Sequence, residues 1–134
     1  MSATLDTNLV LRLVMGDIPD QYETVRDLLA VPGARYRVTD MAIAEIVHAL
    51  VHHYGLTRPQ VAEILHAIIT APNIDTNRGL LEAVIDSFIR HPGLSFVDCY
   101  LAEEARAWGN LPLLTFDKKL AHLHNAAQLL RAST

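Results

Sequence analysis

Short apolar runs alternate along the chain with longer segments of helical periodicity. Strands are predicted at Ala3–Leu5, Tyr36–Val38, Leu111–Phe116 and near Gln128–Leu130. Helices are predicted at about 9–14, 21–30, 40–54, 59–70, 76–90, 95–108 and from Lys118 onward. The continuous run Leu111–Phe116 is typical of a strand buried on both faces. Such alternation predicts an α/β fold with a parallel sheet.

Length and composition predict one compact domain covering residues 1–134. The chain is 51% hydrophobic and 19% charged, and its apolar stretches end before the ~20 residues that a membrane span needs. The start lacks a basic segment followed by a long apolar core, and Cys99 is the single cysteine. We therefore expect no secretory signal, no membrane association and a cytoplasmic location. The net charge of −4 argues against binding nucleic acid by bulk electrostatics, although metal ions can neutralise an acidic pocket.

Two aspartates follow predicted strands. Asp6 comes after the first strand, and Asp117 comes after the apolar run that ends at Phe116. Ligands of open parallel sheets bind at the carboxyl ends of the strands, so both side chains are candidates for a site there. Each residue also has a structural explanation, because Asp is a favoured helix N-cap and a predicted helix follows both.

Two further carboxylates are predicted within helices. Glu45 shares a helical face with Ala42 and Ala49, whose small side chains would allow a close approach to a neighbour. The alternative is a solvated helix edge. Asp98 lies three residues after Ser95, the spacing of a capping box, or else points toward the same sheet edge as the other two aspartates.

Together these four carboxylates would form an acidic cluster with little nearby to neutralise it. Hard oxygen ligands of this kind suit Mg²⁺ or Mn²⁺, which also bridge to phosphate oxygens. Such ions activate water and stabilise the leaving oxygen in phosphodiester cleavage. The cluster therefore predicts a metal-dependent hydrolase of phosphodiesters, with Asp6 as the strongest candidate for a direct metal ligand.

The ordered set of motifs resembles the PIN-domain family. It comprises Asp6-Thr7-Asn8, Glu45, Phe96-Val97-Asp98-Cys99 and Leu113-Leu114-Thr115-Phe116-Asp117, and it covers nearly the whole chain. The chain length is also similar to that of VapC toxins of type II toxin–antitoxin systems.

The resemblance implies a three-layer α/β/α domain with a central parallel sheet of four to five strands. It also implies endoribonuclease activity dependent on Mg²⁺ or Mn²⁺, with Asp6, Glu45, Asp98 and Asp117 as the acidic metal site. Asn8 and Thr115 match polar positions that support this site by hydrogen bonds. The partners implied are an RNA substrate, a second copy of the chain in a homodimer, and a small antitoxin protein.

One departure and several alternatives stay open. Many toxins of this group carry another acid just after the last motif aspartate, where Lys118 and Lys119 stand here. The lysines would weaken a second metal site, contact substrate phosphate, or lie at a solvated helix end. A stand-alone RNA-processing nuclease and a non-catalytic RNA- or protein-binding module remain alternatives to a toxin.

Two other classes of protein fit less well. Glu45 with His48, and Glu63 with His66, have the spacing of a di-iron site in a four-helix bundle, which would be almost purely helical. A phosphoryl-transfer domain would need an Asp where Asn8 stands, or paired acids near the start of the chain.

The remaining histidines, arginines and aliphatic residues carry weaker predictions. Two close pairs of histidines have a spacing that could bind a transition metal, but surface or interface positions are expected for them: His52 with His53, and His122 with His124. Candidate contacts to RNA phosphate are Arg12, Arg35, Arg37, Arg58, Arg78 and Arg90. Core, dimer or antitoxin contacts are expected for Leu9, Leu13, Leu28, Leu29, Ile43, Ile46, Leu50, Ile64, Ile68 and Ile69.

Overall fold

The computed structural model describes residues 2–132 of the chain. Its helices are α1 (Thr7–Met15), α2 (Pro19–Leu29), α3 (Asp40–His52), α4 (Arg58–Thr70), α5 (Arg78–Arg90), α6 (Phe96–Ala107) and α7 (Lys118–Leu123). Its strands are β1 (Ser2–Thr4), β2 (Arg35–Arg37), β3 (Ile74–Asp75), β4 (Leu113–Thr115) and β5 (Ala127–Leu129). The backbone forms two compact units, one up to Arg78 and one from Gly79 onward.

The first unit contains a three-stranded parallel sheet in the order β1-β2-β3. In its register, Ala3 lies beside Tyr36, and Tyr36 lies beside Ile74. Tyr36 is buried, whereas its neighbours Arg35 and Arg37 are exposed on the opposite face of the strand. The helices cover the buried face with an aliphatic core that includes Val10, Leu11, Val25, Ile43, Ile46, Val47, Leu50, Val61, Leu65 and Ile68.

Local signals account for the helix boundaries of this unit. Thr39 caps α3 by accepting a hydrogen bond from the Ala42 N–H at 3.2 Å. Thr57 and Gln60 form a reciprocal capping box at the start of α4. Helix α1 ends at Gly16, whose φ of 61° lies in the left-handed region that favours glycine.

The second unit contains a two-stranded parallel sheet of β4 and β5. Leu113 pairs with Ala127 and Thr115 pairs with Leu129. Helices α5, α6 and α7 supply most of the core of this unit, which includes Leu81, Val84, Ile85, Phe88, Leu94, Phe96, Cys99, Ala102, Leu120 and Ala126. The Phe88 and Phe96 rings meet edge to face, with centroids 5.7 Å apart.

The predicted α/β class with parallel strands is confirmed, and the described strands number five. They form a sheet of three strands and a sheet of two. Strand β3 was not predicted, because two residues are too short for any periodicity to be read. The prediction that the run before Asp117 is buried on both faces is wrong: Leu114 is 55% exposed and Phe116 is 68% exposed. None of the described helices is long and apolar enough to cross a membrane.

Candidate active site

Asp6 stands between β1 and α1, where it caps the helix. Its Oδ1 accepts a hydrogen bond from the Leu9 N–H at 3.1 Å. The side chain is exposed, and it lines a pocket of about 400 Å³. Capping therefore holds one carboxylate oxygen and orients the whole group at the carboxyl end of the strand, as the sequence predicted.

Glu45 reaches the same pocket from the middle of α3. Its Oε2 accepts a hydrogen bond from the Thr7 hydroxyl at 3.2 Å, so the first turn of α1 and the centre of α3 are tied together at this point. Ala42, one turn earlier on α3, is buried and lines the pocket, in agreement with the predicted small face beside Glu45. Because Glu45 is exposed, its charge carries no large burial cost and needs no buried cation.

Asn8 and Thr7 complete the polar lining of this pocket. The side chain of Asn8 is exposed and also borders a neighbouring pocket of about 380 Å³. Thr7 was missed as a site residue, because only the fold brings its hydroxyl to a carboxylate 38 positions away. Thr39, the cap of α3, lines the pocket as well.

Asp117 occupies the corresponding position in the second unit, between β4 and α7. Its Oδ1 accepts hydrogen bonds from the N–H groups of Lys119 at 2.9 Å and Leu120 at 3.1 Å. The hydroxyl oxygen of Thr115 accepts the Asp117 N–H at 2.9 Å. Thr115 thus contacts the backbone of Asp117, whose carboxylate is exposed, and its support of a metal site stays a prediction.

Asp98 lies in the first turn of α6 and is half-buried. Ser95 caps this helix by accepting the Asp98 N–H at 3.1 Å. Among the hydrogen bonds described for residues 2–132, Asp98 contributes its N–H to this cap but not its carboxylate. The capping explanation therefore accounts for Ser95, and the Asp98 carboxylate stays available for another partner.

The structure brings Asp6, Asn8 and Glu45 to one pocket of the first unit, and it places Asp98, Thr115 and Asp117 in the second. Carboxylate oxygens are the donors that hard divalent cations prefer, so the paired acids of the first unit fit such an ion. Within the described part of the chain, no three His, Cys, Asp or Glu side chains lie close enough together to hold a metal. The four-carboxylate metal site stays a prediction.

Several candidate RNA-binding arginines form ion pairs within their own unit. Arg12 donates to both carboxylate oxygens of Asp17, at 3.1 and 3.2 Å, and Tyr54 donates to the same carboxylate at 2.8 Å. The hydrogen bond from Tyr54 is the main cause that lowers the pKa of Asp17 below its ordinary value. Arg35 is paired with Asp75. Because these arginines are already bound to aspartates of their own unit, binding an RNA phosphate would compete with those ion pairs.

In the second unit, a third candidate arginine forms an ion pair, and the two lysines that follow the last motif aspartate are exposed. Arg90 is paired with Asp86, four residues earlier on α5. Lys118 and Lys119 are exposed in the first turn of α7, as expected for a solvated helix end. Contact of these lysines with substrate phosphate stays a prediction.

The histidine predictions are partly wrong. His52, His53 and His122 are exposed as expected. His124, however, is only 2% exposed, since its Nε2 lies 2.7 Å from Oε2 of the buried Glu103. The sequence pattern places a histidine at the end of a short polar helix on the surface, and the partner that allows its burial lies 21 positions away.

The five strands contradict the four-helix di-iron alternative, which requires an almost purely helical chain. The chain matches the PIN domain family over residues 3–125, a range that includes all four candidate carboxylates. No curated protein matches it. PIN domains are in general metal-dependent nucleases that act on RNA. Because the match covers most of its length, the chain belongs to the PIN domain family.

Proposed function

We propose that this chain is an endoribonuclease that hydrolyses RNA phosphodiester bonds with Mg²⁺ or Mn²⁺. The observation that carries the proposal is the pocket of the first unit, where Asp6 and Glu45 project from different elements of a chain that belongs to the PIN domain family. Two ionised carboxylates in one polar pocket create a negative potential that attracts a divalent cation. The oxygen ligands favour hard cations over zinc or copper, which prefer nitrogen and sulfur.

Each carboxylate has a proposed role. Asp6 would hold the metal directly through the oxygen that the Leu9 N–H does not occupy. Asp98 and Asp117 would complete the ligand set. Glu45 would accept a proton from the attacking water, and the hydrogen bond from Thr7 fixes the direction of its carboxylate. When bound, the cation would supply Lewis-acid stabilisation of charge on the phosphate oxygens.

We further propose that residues 1–134 act as a single PIN domain and as the toxin of a VapBC-type pair. A small antitoxin would silence the nuclease, and two copies of the chain would form a homodimer in the cytoplasm. What supports this finer proposal is the ordered set of PIN-domain motifs, which covers nearly the whole chain. A neighbouring small gene for a DNA-binding antitoxin, and copurification of its product, would support the toxin role. Purification of an active nuclease with no such gene nearby would favour a stand-alone RNA-processing enzyme.

The decisive test is cleavage of total cellular RNA with Mg²⁺, with Mn²⁺ and with chelator. Asp6→Asn keeps the shape of the cap but removes the charge, so we expect it to abolish metal-dependent cleavage with little loss of stability. Asp27→Asn is the matched control, because Asp27 is an exposed carboxylate of the same unit that pairs with Arg26 outside the pocket. Cleavage that persists in Asp6→Asn, or that is lost equally in Asp27→Asn, would refute the assignment.

A binding module without turnover predicts a different result. It would retain RNA affinity in the presence of either metal and would leave the RNA intact. Equilibrium binding of a labelled RNA, measured beside the cleavage assay, separates that outcome from an enzyme whose preferred sequence is missing from the RNA pool. In the latter case, cleavage appears once structured transfer, ribosomal and messenger RNAs are tested separately.

A further inference from the structure

The second unit contains a polar cavity that the proposed nuclease chemistry does not use. Its volume is about 330 Å³, within the range typical of small-ligand sites. The side chains that line it come from the ends of α5, α6 and α7 and from the residues after them: Arg90, His91, Glu103, Arg106, Leu123, His124 and Asn125. Two arginines and two histidines face a single carboxylate in this lining.

The carboxylate of Glu103 is already engaged. Its Oε2 lies 2.7 Å from His124 Nε2, and its Oε1 lies 3.5 Å from Arg106 Nε. Nδ1 of His124 accepts the Ala126 N–H at 3.1 Å, so the ring proton must be on Nε2 and is donated to Glu103. Glu103 is buried, and both of its oxygens face protein donors. The acid in the cavity wall is thus engaged through both oxygens, by the neutral His124 N–H on one side and by the Arg106 guanidinium on the other.

The two guanidinium groups retain donors for a ligand. Arg106 uses Nε toward Glu103 and one terminal nitrogen toward the Asn125 side-chain oxygen, at 2.7 Å. Arg90 uses one terminal nitrogen toward Asp86 at 2.9 Å, in a pair that is about two-thirds exposed on both sides. An arginine carries five N–H donors, so each group has N–H donors beyond those in these contacts. Exposed ion pairs such as Arg90–Asp86 contribute little and exchange readily for a stronger anion.

His91 stands beside His124 in the lining of the cavity. Its ring centroid lies 5.2 Å from that of His124. The pKa of His91 is lowered, first by burial and then by the proximity of His124 and Arg90, and these effects outweigh the opposite influence of Glu103 and Asp86.

We propose that this cavity binds a phosphate group, held by Arg90 and Arg106 with His91 and Asn125 at its sides. Guanidinium groups match phosphate geometry through paired N–H donors, and two of them line this cavity from separate helices. The same chemistry is offered by free inorganic phosphate and by the terminal phosphate of an RNA. This inference does not depend on the proposed nuclease activity, because neither the cavity nor its test involves the acidic pocket.

The test is a titration of the metal-free protein with inorganic phosphate, followed by two-dimensional ¹⁵N–¹H NMR at constant ionic strength with chloride as the balancing anion. We expect saturable shifts concentrated at the amides of Arg90, His91, Arg106 and Asn125. Arg90→Gln should weaken phosphate binding by roughly tenfold or more, because a hydrogen bond to a charged group is lost. The matched control is Arg26→Gln, which removes an exposed arginine that is also paired with a neighbouring aspartate, and it should leave the affinity unchanged.

Two outcomes overturn the proposal: shifts that are absent, non-saturable or scattered over the surface, and equal phosphate affinity in Arg90→Gln and wild type. The NMR spectrum of each variant shows directly whether it is folded. A short RNA with a 5′-phosphate, compared with its 5′-hydroxyl form, identifies the source of the phosphate. If the 5′-phosphate RNA displaces inorganic phosphate and the 5′-hydroxyl RNA does not, the ligand is the phosphorylated end of an RNA. If neither RNA displaces it, the ligand is the free anion.

Discussion

The buried pair of Glu103 and His124 gives the sharpest prediction about stability. His124→Leu replaces the imidazole by an apolar side chain of similar size in a site that is 2% exposed. The substitution removes the acceptor of the Ala126 N–H and the donor to Glu103. It therefore leaves one backbone donor and one carboxylate oxygen without their partners in a buried environment.

The expected cost follows from these two losses. A buried donor left without an acceptor costs about 1–3 kcal/mol. The Glu103 oxygen loses a hydrogen bond to a charged group, which contributes about 1.5–3 kcal/mol, although Arg106 still faces the other oxygen of Glu103 and offsets part of this. We expect His124→Leu to lower the free energy of unfolding by about 3–5 kcal/mol. Glu103→Leu removes the charge and leaves only the His124 ring N–H unpaired, so it should cost about 1–3 kcal/mol.

The double variant separates coupling from simple loss of packing. With both side chains replaced by leucine, only the Ala126 N–H remains unpaired, so the double variant should be more stable than His124→Leu alone. Urea denaturation followed by circular dichroism measures all four free energies of the cycle. His122→Leu, an exposed substitution two positions earlier, is the control and should change stability by less than about 0.5 kcal/mol. Single-variant costs that add within about 0.5 kcal/mol would show that the pair is not coupled and would refute the reasoning.

Two further predictions concern the pH dependence of stability, and a third concerns the Thr7 hydroxyl. Because the pKa of Asp17 is lowered, its ionised form stabilises the fold above about pH 3.8, and this contribution is lost as the pH falls through the folded-state pKa. Tyr54→Phe removes the hydrogen bond that is the main cause of the lowered pKa, so the unfolding free energy of this variant should fall less between pH 5 and 2 than that of the wild type. Because the pKa of His91 is lowered in the folded state, the free energy of unfolding should decline as the pH falls below about 6.5. His91→Gln, measured in phosphate-free buffer, should make this decline with pH less steep. An equally steep decline in the variant would contradict the prediction. Thr7→Val removes the hydroxyl that donates to Glu45, so it should slow RNA cleavage by roughly fivefold or more, with a stability change below about 1 kcal/mol. Thr7→Ser keeps a hydroxyl and should cleave at the wild-type rate. Equal rates in Thr7→Val and wild type would exclude a role for the hydroxyl.

The helices and their caps could be predicted because their determinants are local. Thr39 lies one residue before α3 and caps it, and Pro59 lies in the first turn of α4 where its missing N–H has no cost. The order of strands and helices follows from the same local periodicities. Parallel pairing then follows from the alternation, since strands joined through helices run in the same direction.

What the sequence could not predict depends on contacts between distant positions. The burial of His124 requires Glu103, and the setting of Glu45 requires Thr7; neither pair has a spacing that a pattern search would select. The exposure of Leu114 and Phe116 could not be predicted for another reason. A run of apolar side chains shows that a strand can be buried on both faces, but the number of elements available to cover it is a property of the fold.

Capping and metal binding were competing explanations for Asp6 and Asp117, and the structure makes them compatible. In each case Oδ1 accepts the backbone N–H groups of the following helix, which leaves Oδ2 outside the cap. The N-terminus of a helix and a bound cation both suit a carboxylate at this position. A carboxylate fixed in this way loses little conformational entropy when it binds an ion. Since Asn caps a helix as well as Asp does, conversion of either residue to the amide separates the two roles, and the loss of activity measures the charge alone.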